Sequence, residues 1–235
     1  LLDAKVDIEV NTRFGFPLDR SDYKEFDGLN GEFTDQGVTY RISPSAKGMN
    51  FLKDEKYCQE NAKSLLERAE KIKPNAIISA SDSSVGLASS MVSRYLGIPF
   101  IYEMRGLWAL TRAANNPIFE GSTKFKLLMA LERQCATSAD LVIVISGPMK
   151  DLLISWGVNE NRIIIMPNGV SSESERFPKQ GVIENVSGTS ENEKRELVFG
   201  YIGSIVGYEG LELLVDLVEK LERLCEQGHC AIIND

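Results

Sequence analysis

An α/β fold built on a mainly parallel sheet is what this sequence predicts, and three features predict it. Short, β-branched apolar runs alternate with amphipathic helical stretches through most of the 235 residues. Breakers such as Pro74, Gly97, Gly157 and Pro167-Asn168-Gly169 stand at the junctions. One run, Leu141–Ile145, is apolar throughout, as expected of a central parallel strand covered on both faces.

In chain order, Val6–Thr12 reads as a strand that leads into the turn-forming Phe14-Gly15-Phe16-Pro17. Glu32–Ile42 alternates around Gln36-Gly37 and reads as a small hairpin or an excursion. Leu52–Ile72 spaces Leu65, Leu66, Ala69 and Ile72 among charged residues, which predicts an amphipathic helix ending before Pro74. A buried strand at Ala76–Ser79 follows, then Ser81-Asp82-Ser83-Ser84, a helix over Val85–Leu96 stopped by Gly97, and a strand over Ile98–Glu103. A long helix is expected over Phe119–Ser138, a short one over Met149–Trp156, and a last strand over Arg162–Met166.

Composition then changes. Ser171–Glu196 is rich in Ser, Glu, Asn, Lys and Gly, without periodicity, and reads as a linker with a surface loop. Order resumes with a strand over Leu197–Ile202, a glycine-bearing loop Gly203–Gly210, a helix over Leu211–Leu224 and the start of a strand at Cys230–Ile233. The expected organisation is a first domain over 1–170, a linker over 171–196 and the truncated start of a second domain over 197–235. A start at Leu1 instead of Met also leads us to expect a missing upstream segment.

Bulk properties exclude several classes. Net charge is −8, the opposite of what neutralising nucleic-acid phosphates requires. No apolar run reaches bilayer-spanning length. Cys58, Cys135, Cys225 and Cys230 form no CxxC pair, and His229 is the one histidine, so a zinc site lacks ligands and free thiols are expected. Ser146-Gly147 lacks the GxSxG elbow of a hydrolase, and no P-loop pattern occurs.

In an open parallel sheet, ligands bind at the carboxyl ends of the strands, and three loops fall there. Ser81–Ser84 either caps the following helix or forms a polar cleft wall contributing Asp82 and Ser83. The loop with Glu103, Arg105, Gly106 and Trp108 sets planar cationic donors and an aromatic face directly after a buried strand. That suits a phosphate or carboxylate and a sugar ring, unless Glu103 and Arg105 merely pair with each other. Gly203-Ser204, with Gly207 and Gly210, allows close backbone approach to a diphosphate before a helix N-terminus, although Glu209 opposes an anion there.

Taken in order, these segments resemble the retaining glycosyltransferases of family four, which have the GT-B fold. Ala139–Val170 (ADLVIVISGPMKDLLISWGVNENRIIIMPNGV) is similar to that family's passage from the first domain to the linker, and Phe177-Pro178 to the aromatic-proline pair that often follows. Phe199–Leu214 (FGYIGSIVGYEGLELL) looks like the opening of the nucleotide-binding domain. Ile98–Trp108 (IPFIYEMRGLW), Thr12–Pro17 and Gly37–Arg41 resemble versions found in polysaccharide and exopolysaccharide enzymes.

The resemblance implies two Rossmann-like domains. It implies transfer of a sugar from a nucleotide diphosphate sugar to a glycan or lipid-linked acceptor, with retention and without a cofactor or metal. Gly203 and Ser204 would lie beside the donor diphosphate. Asp82, Ser83, Glu103, Arg105, Gly106 and Trp108 would line the acceptor-side cleft, and the family's paired glutamates would lie beyond Asp235. The implied location is cytoplasmic, and lipid-linked acceptors allow a peripheral contact with the inner face of the membrane. Two departures stand out: many relatives carry Arg and Lys where this chain has Ser204 and Glu209. They keep open a second reading, a non-catalytic nucleotide- or sugar-binding subunit; a sugar-nucleotide epimerase of the same fold is a third.

Overall fold

A computed structural model describes residues 6–14, 16, 31–35, 37–42, 54–169, 200–203 and 205–226. Outside them lie the linker 171–196, Phe177-Pro178, Leu197–Phe199, Ser204 and the strand expected at Cys230–Ile233. The chain divides into two units, Leu1–Ala113 with Ile118–Asn168, and Ala114–Pro117 with Gly169–Asp235.

The first unit holds two sheets. In the smaller, β1 (Glu9–Asn11), β2 (Glu32–Asp35) and β3 (Val38–Arg41) run in the order β1-β3-β2. β1 lies parallel to β3, and β2–β3 is the antiparallel hairpin, with Gly37 at φ +80° in its turn. Helix α1 (Asp54–Ile72) is tied to this sheet by Arg68, which binds Glu9 bidentately at 2.6 Å and reaches Glu32 at 2.9 Å. It also presents Asn61, whose side-chain Oδ1 accepts the Phe14 N–H at 2.7 Å.

The larger sheet is fully parallel. Its strands are β4 (Ile77–Ala80), β5 (Phe100–Met104), β6 (Leu141–Val144) and β7 (Ile163–Ile165), in the order β4-β5-β6-β7. Between them run α2 (Ser83–Leu96), then α3 (Trp108–Asn115), α4 (Pro117–Glu120) and α5 (Thr123–Ser138), then α6 (Gly147–Ser155). Gly97 ends α2 in the left-handed region, φ +69°, as its place after the apolar run predicts. Tyr102, Met104, Val142 and Val144 are fully buried, and Cys135, Ala136 and Leu153 pack with them. Cys58 and Cys135 are free thiols.

Right-handed crossovers that always step in the same direction put their helices on one face. Strand by strand, one face is buried (Ile77, Phe100, Tyr102, Val142, Ile163) while the alternate residues are half-buried or exposed (Ile78, Ile101, Ile143, Ile164). On β6 one face is fully buried and the other, with Leu141 and Ile143, is half-buried, so the apolar run Leu141–Ile145 marks a strand covered more completely on one face than on the other. A continuous apolar run reads the same whether its second face is covered or open.

Two helical expectations change. Residues 103–108 were expected as a loop, but α3 begins at Trp108. Its inward stripe is Ala109 and Ala113, too small to give a visible apolar period. The helix expected over Phe119–Ser138 breaks at Gly121-Ser122. There the Ser122 hydroxyl donates to the Phe119 carbonyl at 2.6 Å and accepts the Phe125 N–H at 3.1 Å, ending α4 and capping α5.

In the second unit, α7 (Leu211–Glu226) follows a 3₁₀ turn at Gly207–Glu209 that closes on Gly210 at φ +68°. Leu211, Leu214, Val218 and Leu221 are its half-buried stripe. Of the strand expected at Leu197–Ile202, the described residues Gly200–Ile202 are not in a strand. A strand needs a neighbour to pair with, and none stands beside them among the described residues. Among the described residues, no helix is long and apolar enough to cross a membrane.

Candidate functional site

The carboxyl ends of four parallel strands form one rim of the first unit: Ser81–Ser84 after β4, Arg105–Leu107 after β5, Ser146-Gly147 after β6 and Met166–Asn168 after β7. The first two loops are joined through the backbone. The Ser81 N–H donates to the Glu103 carbonyl at 2.9 Å, and the Arg105 N–H donates to the Ser81 hydroxyl at 3.1 Å. Asp82, Ser83, Glu103, Arg105 and Gly106 are thereby brought to adjacent positions on this rim.

Asp82 is the N-cap of α2. One of its carboxylate oxygens accepts the Ser84 N–H at 2.8 Å, the Val85 N–H at 3.4 Å and the Ser84 hydroxyl, and its carbonyl accepts the Gly86 N–H at 2.9 Å. The remaining donor of that first turn, the Ser83 N–H, goes to Glu132 Oε1 at 2.9 Å. Glu132 Oε2 accepts the Tyr102 hydroxyl at 2.5 Å. The start of α2 thus has every donor bonded and two carboxylates on its positive end, which leaves nothing for a phosphate.

Sequence reasoning missed Glu132. It lies in a helical stretch between Leu131 and Arg133 and reads as a surface charge, yet it is buried. Desolvation is the largest cause that raises its pKa above the ordinary glutamate value; the hydrogen bonds from Tyr102 and Ser83 act against it. Burial, then the Glu132 charge, raises the Tyr102 phenol as well. Gly86 makes room for this arrangement: a Cβ there would stand 2.9 Å from both Cys135 Sγ and Tyr102 Cε2.

The β5 loop is different in character. Arg105 is 61% exposed, and its Nε lies 3.9 Å from Glu103 Oε1, too long for a hydrogen bond. The two face solvent as loosely associated charges. Gly106 is half-buried and Trp108 is 67% exposed at the first position of α3. Further along the rim, α6 starts at Ser146 without a side-chain cap and with no acidic residue in its first turn. Of the two helices α2 and α6, α6 is the one whose positive end carries no carboxylate. Gly203 lies in the second unit with the Tyr201 ring folded over it, and Ser204 lies outside the described residues.

Three solved structures show partial similarity. One is a UDP-N-acetylglucosamine 2-epimerase, with 15% identity, a TM-score of 0.43, and coverage of 69% of this chain and 49% of that one. Another is the UDP-GlcNAc 2-epimerase from Neisseria meningitidis bound to UDP-GlcNAc, with 13% identity, a TM-score of 0.41, and coverage of 67% and 45%. The third is MnaA of S. aureus with UDP, with 12% identity, a TM-score of 0.38, and coverage of 56% and 36%. The chain thus spans less than half the length of each. Comparison with curated proteins gives no match. The sequence matches the glycosyl transferase 4-like domain over residues 5–169, a span that includes both sheets and the whole rim. With an α/β architecture and a mainly parallel sheet beneath that match, the chain belongs to the glycosyl transferase 4-like family and has the Rossmann-like first domain of a GT-B fold.

Proposed function

We propose that this chain supplies the acceptor-side wall of a retaining glycosyltransferase that moves a sugar from a nucleotide diphosphate sugar to a glycan or lipid-linked acceptor. One observation carries the reading. In a domain of this family, exposed Arg105 and Trp108 and half-buried Glu103 stand within six residues at the carboxyl end of β5, with residues 103 and 105 bonded to the β4 loop. Arg105 offers forked donors to an anionic or hydroxyl group, Glu103 accepts from a sugar hydroxyl, and Trp108 gives a ring face for a pyranose. Asp82, Ser83 and Gly106 shape the wall beside them. Gly203 and Ser204 belong to the donor side, and the paired glutamates belong beyond Asp235. Catalysis rests on positioning and on stabilising the departing diphosphate, with no metal or cofactor, at the cytoplasmic face of a membrane.

Transfer is favoured over epimerisation by what the rim's carboxylates are doing. Asp82 and Glu132 are committed to the helix start, so Glu103 is the carboxylate left to face a ligand among the described residues there. Epimerisation calls for more acid/base groups than that. The test uses the full-length protein with a panel of UDP- and GDP-sugars and lipid-linked acceptors. Transfer with retained anomeric configuration is expected, and Arg105→Ala should lower kcat/KM roughly 10- to 100-fold without changing the melting temperature. Failure to bind any nucleotide sugar in calorimetry would overturn the reading. So would release of an epimerised nucleotide sugar without acceptor, or donor binding with no transfer.

A further inference from the structure

At the end of the sheet opposite the rim, where β5 and β6 begin, the first unit has a pocket of about 430 Å³ between the last turns of α2 and α5. That volume falls within the range of small-molecule sites, roughly 300–1,000 Å³. The pocket lies one strand length, about 15 Å, from the acceptor wall. It shares no residue with that wall.

Ser93 is the pocket's floor. This residue is 2% exposed, yet its hydroxyl has no hydrogen-bond partner. A serine in a helix ordinarily turns its hydroxyl to the carbonyl one turn earlier or to solvent. A buried hydroxyl that does neither costs free energy, and it points to a partner arriving from outside the chain.

The groups around it are fixed by bonds that leave capacity toward the pocket. Ser90 Oγ donates to Ser138 Oγ at 3.1 Å, and Ser138 Oγ donates to the Cys135 carbonyl at 2.9 Å, so both keep lone pairs as acceptors. Asp140 accepts the Phe100 N–H through Oδ2 at 2.8 Å, which anchors the carboxylate and leaves Oδ1 to accept. Arg94, in the last turn of α2, makes no ion pair among the described residues and supplies forked donors. The helix dipole accounts for a cation at that place but not for the hydroxyl of Ser93.

The charges select the ligand. Arg94 and Asp140 cancel, and the carboxyl ends of α2 and α5 add negative potential, so an anion is not favoured. A sugar is different, because each of its hydroxyls both donates and accepts. It matches a set of one guanidinium, one carboxylate and three serine hydroxyls, while Ile98 and Pro99 give an apolar edge to the C–H face of a ring.

We propose that this pocket is a second carbohydrate site, which binds one neutral monosaccharide unit away from the reacting centre. It stands whether or not the transfer reading holds, because binding here is read at residues the rim does not contain.

The experiment is a titration of the full chain, followed by two-dimensional amide NMR. The probes are D-glucose, D-galactose, D-mannose and N-acetyl-D-glucosamine, with inorganic phosphate in a separate arm. At least one sugar is expected to shift the amides of Ser93, Gly97 and Asp140 saturably, and phosphate is not. Ser93→Ala should weaken that binding about fivefold and Arg94→Ala about tenfold, while Arg105→Ala leaves it unchanged. Neither pocket substitution takes a side-chain partner from the folded chain, so both variants should melt with the natural protein. Should Ser93→Ala fail to fold, Arg94→Ala, at an exposed position, carries the test. The proposal is overturned if no sugar moves those amides, or if phosphate moves them in place of a sugar. It is equally overturned if sugars shift only amides of the rim, or if binding survives unchanged in Arg94→Ala and folded Ser93→Ala.

Discussion

Glu132 enters the interior from α5 with each carboxylate oxygen engaged, one by the Ser83 N–H and the other by the Tyr102 hydroxyl. Removing the carboxylate strands two buried donors. Glu132→Ala is therefore expected to cost about 2–4 kcal/mol in urea unfolding. Glu132→Gln keeps an acceptor for Ser83 and a partner for Tyr102, and should be milder. The pH dependence has a definite sign. The folded pKa of Glu132 is raised above its ordinary value, so the folded state holds the proton more tightly than the unfolded chain. The stability this contributes is complete below the ordinary glutamate pKa and is lost as pH rises through the raised, folded value. Urea midpoints measured across that range should fall more steeply with pH in the natural protein than in Glu132→Gln. Parallel slopes would show that Glu132 is not the titrating group. None of this was legible in the sequence, because the residues that bury Glu132 come from β5 and the start of α2 and only the fold brings them together. Arg105 and Trp108 were legible, since polar and aromatic groups directly after a buried strand have no packing reason to be there.

At the scale of elements, α2 shows how close packing follows from one missing side chain. Gly86 lies one turn into the helix, where Cys135 Sγ and Tyr102 Cε2 occupy the space a methyl group would need. Gly86→Ala raises helix propensity by about 1 kcal/mol, but it must push two buried side chains aside. The second effect wins, because both neighbours are fully enclosed. A net loss of about 1–3 kcal/mol is expected in thermal or urea unfolding. A neutral or stabilising result would mean that α2 can lift off β5. Strands and caps were the elements read most directly from sequence: β4 to β7, α1, α2 and the β2–β3 hairpin each carry their own periodicity or turn residues. α3 was missed because its inward residues are alanines. The break at Gly121-Ser122 was missed because the apolar pattern runs straight across it.

For the whole first unit, the one-directional strand order matters most. It sends α2, α5 and α6 to the same side and, among the described residues, leaves Ile78 and Ile164 exposed on the opposite face, with Ile101 and Ile143 half-buried there. Parallel sheets are ordinarily covered on both faces. The expected consequence is strong enhancement of 8-anilinonaphthalene-1-sulfonate fluorescence by the folded chain, reduced by Ile78→Thr with Ile164→Thr. A dye signal that neither substitution lowers would place the accessible apolar surface elsewhere. Alternation of strands and helices made the fold class readable. How far the second face is covered was not readable, because a strand's composition does not report what lies above it.

The same strand order bears on how the chain is made. Each strand of the larger sheet pairs with the strand synthesised just before it: Ile77 with Phe100, Ile101 with Leu141, Val142 with Ile163. Among the described residues, no strand of this sheet has to wait for a partner that the ribosome has yet to produce, and no later strand has to be threaded between two earlier ones. The sheet can therefore grow outward from β4 in the direction of translation, each helix closing over a strand pair as it emerges. Glu132 arrives midway in that sequence. Its partners Ser83 and Tyr102 both precede it in the chain, so nothing synthesised later is needed to make those two bonds.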